Sequence, residues 1–189
     1  ASGIGAIVGA GMLNRARGAC SFAGSGTENY AKGSHSIVVG GMSNQAIGDM
    51  SFIGGGRCNH ALGLYTAIVG GYGNTAGGSG TGAFVGAGRH NKSVGRNSVI
   101  VGGSSNLCTS TGSGIVAGSN NRVTNSNISI ITGGRSNSVD YSFGIFIGAG
   151  IKNTATYAFN SFIGGGVINT INTTFASYDD VIVGGYNNS

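Results

Sequence analysis

Apolar and polar positions along this chain follow a short pattern that returns with a period of mostly 15 or 16. Ser51-Phe52-Ile53-Gly54-Gly55-Gly56-Arg57-Cys58-Asn59, followed by His60-Ala61-Leu62-Gly63, serves as the type unit. Its Asn has counterparts at Asn14, Asn29, Asn44, Asn74, Asn91, Asn106, Asn121, Asn137, Asn153, Asn169 and Asn188. The spacing is 15 except for 17 after Asn74, 16 after Asn121, Asn137 and Asn153, and 19 after Asn169. Self-similarity at a fixed period marks a repeat architecture, so the chain is read as one repetitive domain over residues 1–189.

Counting from the Asn, position −6 is apolar in every unit and β-branched in all but Ala23, and position −3 is always Gly. Position +2 is small or medium and mostly apolar, as at Ala16, Ala46, Ala61, Cys108 and Val139. Residues two apart share a face of a strand. In Ser36-Ile37-Val38-Val39-Gly40 both faces are therefore apolar. Gly, Ser and Asn around the marker supply turns and positive φ, and a second short strand is centred on Ala61 and its equivalents. Two short strands and two turns per unit predict an all-β fold. It is a parallel β-solenoid (β-roll) of about 11–12 coils of about 15–16 residues, stacked about 4.8 Å apart over a length on the order of 55 Å. From about residue 107 to 189 the turns become less regular. Thr109-Ser110-Thr111, Asp140 to Phe143, Thr156 to Phe159 and Thr173 to Asp180 read as lengthened polar and aromatic loops. The surplus between Asn74 and Asn91, at Gly77 to Gly82, should bulge outward.

A coil this small encloses one narrow core, filled by the −6 and +2 rows. The apolar row at −7 is left over: Ile37, Phe52, Phe84, Val99, Ile130, Phe146 and Phe162. A ladder of that length left in water would be adhesive. Association of identical chains along this row is the expected remedy, with three-fold closure favoured over a dimer.

Composition narrows the classes. Forty Gly residues without Pro and without a period of three exclude collagen. Only 8% of residues are charged and the β-branched positions hold their register, which argues against disorder. No apolar run reaches the roughly 20 residues of a membrane-spanning helix, so no membrane insertion is expected. The opening residues already hold the repeat register and read as the first coil, and the chain reads as a piece of a longer fibrous protein. Cys20, Cys58 and Cys108 lie in separate units and fit neither a metal spacing nor an even disulfide framework. The carboxylates and histidines form no recurring catalytic constellation. Gly70-Gly71-Tyr72-Gly73 lacks the Asp of a calcium-binding β-roll. No enzymatic role, cofactor or metal is expected.

The unit S-[IVF]-[IV]-[VG]-G-G-x-x-N-x-A-x-G resembles the head repeat of YadA-like trimeric autotransporter adhesins. Asn97-Ser98-Val99-Ile100-Val101-Gly102 and Asn160-Ser161-Phe162-Ile163-Gly164 are the best local matches. The units here are slightly longer, with an extra Gly, and related repeats occur in virus and bacteriophage fibres. The resemblance implies a left-handed β-roll, a homotrimer, and attachment to a host from a virion fibre or a bacterial outer surface, an extracellular setting in either case.

Most of the ten Lys and Arg residues line the corner around the marker, with Arg57, Arg89 and Arg135 at −2. This predicts an exposed basic edge that either keeps the surface soluble or attracts acidic glycans. The candidate ligand-binding patch is Arg89, His90, Lys92 and Arg96, with Tyr141 and Tyr157 on the late loops. The partner would be a host-surface glycan or protein receptor, and not nucleic acid, because no basic run is interleaved with aromatics. Competing functions are an ice-binding solenoid and a passive fibre spacer with no ligand.

Overall fold

The computed structural model describes residues 1–78 and 80–189, with the backbone alone at residues 173–177. Each unit is one coil, named here by its order from coil one (Asn14) to coil twelve (Asn188). Two parallel sheets run the length of the molecule. One has 12 strands, beginning Ile7–Val8, Phe22–Ala23, Ile37–Val38 and ending Val181–Ile182. The other has 11, from Arg15–Ala16 to Thr170–Tyr178. Every strand pairs with its counterpart one coil away, in register as in Phe52↔Ile37 and Ala61↔Ala46, except for a register shift between Thr156 and Ala158 where Thr154–Phe159 meets Thr170–Tyr178. A third line of parallel bridges joins position −2 of each coil to the next, running Met12, Thr27, Met42, Arg57, Tyr72, Arg89, Ser104, Ser119 and onward to Tyr186. The architecture is thus the expected parallel β-solenoid, of roughly eleven turns. No helix among the described residues is long and apolar enough to cross a membrane.

The core is the predicted pair of rows. Val38, Ile53, Ile68, Ile100, Ile131 and Ile163 are buried from one sheet and Ala46, Ala61, Ala76, Cys108, Val123 and Val139 from the other. Two polar rows share it, which the pattern of apolar residues did not disclose. Asn29, Asn44, Asn59 and their successors to Asn169 are fully buried, as are Ser36, Ser51 and Ser98. The marker Asn is therefore an inward rung and not a turn residue. Its Oδ1 accepts the backbone N–H of the next marker, at 2.9 Å from Asn74 to Asn59. Its Nδ2 donates to two carbonyls, for Asn59 those of Gly55 and Gly71, both at 3.0 Å.

The turn is made beside it. Position −1 is left-handed in every coil, including Cys58 at φ 56° and His90 at φ 54°. That conformation is uncommon outside glycine, and here it is held by a bond from its N–H to the −2 carbonyl of the preceding coil, Cys58 to Met42 at 2.9 Å. The invariant −3 glycine has a separate cause. Gly71 sits at φ 95°, where a Cβ would overlap the carbonyl oxygen of Gly88 in the next coil and crowd Asn74 Nδ2.

Two expectations need correction. Thr154–Phe159 and Thr170–Tyr178 are strands and not loops. The extra residue of the longer coils is absorbed at a left-handed corner, Asn125, Tyr141 and Tyr157, while bridges from Asn127 to Phe143 and Phe143 to Phe159 add a further parallel line. Serine hydroxyls satisfy that side: Ser126 N–H donates to Ser110 Oγ at 2.8 Å and Ser142 N–H to Ser126 Oγ at 3.0 Å. Nor does the Gly77 to Gly82 surplus simply bulge. Gly77 and Gly80 are buried between neighbouring coils and only Gly78 is exposed; Ser79 lies outside the described residues.

Candidate functional site

Two surfaces stand out on this scaffold. The first is the outer face of the 12-stranded sheet. Because Ile53 and its equivalents point inward, position −7 must point out. Ile37, Phe52, Val99, Ile130, Phe146 and Phe162 are indeed exposed, each at 37 to 42% of its surface, with Phe84 half-buried. Their neighbours at −5 are matched to them. Every Phe of the row is followed by Gly, in Phe22/Gly24, Phe52/Gly54, Phe84/Gly86, Phe146/Gly148 and Phe162/Gly164. Smaller residues are followed by Val, in Ala67/Val69, Val99/Val101 and Gly114/Val116. A Cβ at Gly24 would meet the carbonyl oxygen of Val39 in the next coil and stand 2.9 Å from Phe22 Cε1, so backbone and ring together keep the position free of a side chain. Bulk is partly levelled along the row, although Ile37/Val39 sets two large residues together, and the face is apolar. Phe146 and Phe162 stack with centroids 5.4 Å apart and an interplanar angle of 5°.

The second surface is the edge formed by positions −2 and −1. Here Arg57, Tyr72 and Arg89 occupy successive rungs of the bridge ladder. Both guanidiniums lie over the Tyr72 ring, Arg57 Cζ 5.9 Å and Arg89 Cζ 5.6 Å from its centroid. His90 meets the same ring edge-on, centroids 5.1 Å apart and planes at 72°. Space for the imidazole comes from Gly73, the sole glycine at −1, where a Cβ would fall 2.7 Å from His90 Nδ1. Beyond Arg89 the edge continues through Ser104-Ser105 and Ser119-Asn120 to Arg135-Ser136.

The sequence-based patch is therefore divided. Arg89 and His90 come together, joined by Arg57, Tyr72 and Gly73. Lys92 stands instead on the outer face of the 11-stranded sheet, beside a shallow groove lined by His60, Leu62, Gly77 and Val94. Arg96 lies at the turn that follows, its carbonyl accepting from Gly112 N–H at 2.9 Å. Tyr141 and Tyr157 do meet, stacked at 5.3 Å and 13° on the opposite corner of the coil. Tyr72 was legible as the position −2 aromatic between two arginines at −2, but a single aromatic carried no signal until stacking placed it between them.

Of the three cysteines Cys20 is exposed, Cys58 half-buried and Cys108 buried. Burial pushes the Cys108 thiol up to about 11, against the lowering effect of backbone hydrogen bonds. Among the described residues no group of three or more His, Cys, Asp or Glu side chains could hold a metal ion.

Fold and surfaces together define a parallel β-solenoid of the repeat-module class. No protein-family model and no curated protein sequence matches the chain. The solenoid agrees with YadA-like head repeats and with fibre repeats without singling out either.

Proposed function

We propose that this chain is a structural and attachment module of a surface-exposed fibre, in which identical chains associate along the outer face of the 12-stranded sheet. A homotrimer is the favoured assembly, displayed outside the cell on a virion fibre or a bacterial surface. Its role is non-catalytic: it holds a stiff rod and presents a host-receptor or glycan-binding surface.

The observation that carries the reading is the exposed apolar row running from Ile37 to Phe162. A Phe side chain buries about 150–250 Å² when covered, so a third of it still exposed leaves about 70 Å² to remove from water. At about 25 cal/mol per Å² each such residue contributes roughly 1.5–2 kcal/mol. The row's seven residues, four Phe with Ile and Val between them, supply on the order of 10 kcal/mol per copy, comparable with the roughly 4–15 kcal/mol cost of association. A continuous rank of exposed Phe, Ile and Val suits contact with another protein surface. Ice binding is less well served, because the exposed column of the other sheet mixes Arg15, Tyr30, Gln45, His60 and Lys92 with Thr.

Sedimentation equilibrium of the full chain tests this. The expected mass is three times the chain's 18.6 kDa. Replacing Phe52, Phe146 and Phe162 together by Ser should dissociate the assembly while the circular dichroism of the solenoid persists. A wild-type monomer at micromolar concentration would refute the association.

A further inference from the structure

We infer that the edge built from Arg57, Tyr72, Arg89 and His90 is a binding site for a linear acidic polysaccharide lying parallel to the solenoid axis. The inference rests on the attachment half of the proposed function and is independent of the association half.

Charge on this edge is uncompensated. The chain's acidic residues are Glu28, Asp49, Asp140, Asp179 and Asp180. Of these only Glu28 lies on the −2/−1 edge, two coils before Arg57 and bonded to Ser43 at 3.1 Å. Arg57 and Arg89 therefore have no carboxylate at their own rungs. All of Arg57, Tyr72, Arg89 and His90 reach solvent. A guanidinium offers a planar fork of donors that fits a carboxylate or sulfate in bidentate fashion.

The edge is also preorganised. Its backbone is pinned to the next coil by two bonds: Arg57 N–H donates to Gly71 O at 2.9 Å, and the Arg57 carbonyl accepts from Gly73 N–H at 2.9 Å. Tyr72 then serves as a spacer between the two guanidiniums, holding their stems in fixed directions and lowering the rotamer entropy lost on binding. Gly73 gives His90 the room to close the group from the side.

Spacing favours the same ligand. Successive rungs are about 4.8 Å apart, close to the advance of an extended sugar chain per residue. Arg57 and Arg89 stand two rungs apart, about 10 Å, which matches an acidic group on alternate sugars. The Ser104, Ser105, Ser119 and Asn120 side chains on the next two rungs supply hydrogen-bonding groups before the next cation, Arg135. Single-stranded nucleic acid is served less well, since it binds by stacking bases on exposed aromatic faces, and the faces of Tyr72 are taken by arginine.

Calorimetric titration of the full chain with heparin, polygalacturonate, neutral dextran and poly(dT), on a sample whose mass has been measured, decides the matter. Heparin or polygalacturonate should bind, weakening as salt rises, and dextran should not. Arg57→Gln/Arg89→Gln should lose at least about tenfold in affinity, the scale of one charge-assisted hydrogen bond. Lys92→Gln/Arg96→Gln, which removes equal charge from a different face, should stay within about twofold. Tyr72→Leu keeps every charge and should still weaken binding severalfold. Equal losses from the two double variants, or tighter binding of poly(dT) than of either polysaccharide, would overturn the site. So would the absence of polysaccharide binding, which leaves the fibre assembly standing if the trimer mass is found. A monomer that still binds heparin through Arg57 and Arg89 would remove the assembly and keep the site.

Discussion

Asn59 and Asn74 are joined backbone to side chain, the N–H of Asn74 donating to Asn59 Oδ1 at 2.9 Å, and the same bond recurs from Asn14 to Asn188. A buried amide is tolerable only when its donors and acceptor are all engaged, and a solenoid provides those partners by translation. The ladder also fixes the height of one coil on the next, because an amide displaced along the axis would lose three bonds together.

Asn59→Asp should therefore destabilise the fold although the shape is unchanged. Two donors are lost, the carbonyls of Gly55 and Gly71 lose partners, and a carboxyl must be buried. A loss of about 3–5 kcal/mol is expected at neutral pH, read as a lower urea midpoint. Acidification should narrow the gap to wild type, since protonation removes the buried charge.

Two adjacent glycines should respond oppositely to alanine. A Cβ at Gly71 runs into the next coil's backbone at φ 95°, so Gly71→Ala should cost several kcal/mol, as do backbone clashes at special φ/ψ generally. At Gly70 a Cβ meets nothing within 4 Å, and Gly70→Ala should be neutral or stabilising by up to about 1 kcal/mol through the unfolded chain. Paired thermal melts measure both.

Ser126→Ala is expected to cost about 1–3 kcal/mol despite removing one oxygen, because the buried N–H of Ser142 loses its acceptor. Amide hydrogen exchange should show the loss at Ser142 and its neighbours before the early coils are affected.

Cys108 makes stability fall at alkaline pH. Its thiol titrates near 11 when folded against an ordinary value of 9.0. Between these values the unfolded chain loses the proton while the folded chain keeps it, so unfolding is favoured as pH rises. The contribution is complete below pH 9 and gone above about 11, a difference of about 2–3 kcal/mol. Cys108→Val, with the residue that Val123 already places on the next rung, should flatten that part of the stability curve. In native buffer a thiol reagent should modify Cys20 rapidly and spare Cys108 until the chain unfolds.

What the sequence determined by itself was the period, the coil and the direction of each apolar row. Alternate residues of a strand face opposite ways, so Ile53 inward forces Phe52 outward, and the invariant glycine at −3 marked a turn with positive φ. Tertiary structure alone decided the rest. Stacking makes neighbours of positions one full coil apart, and which atoms then touch depends on coil height and side-chain direction, not on residue type. That is why Asn59, with every mark of a turn residue, proved to be a buried rung. It is also why Thr154–Phe159 continues as a strand, and why Arg89 found Arg57 and Tyr72 across the coils while Lys92, close by in sequence, went to another face.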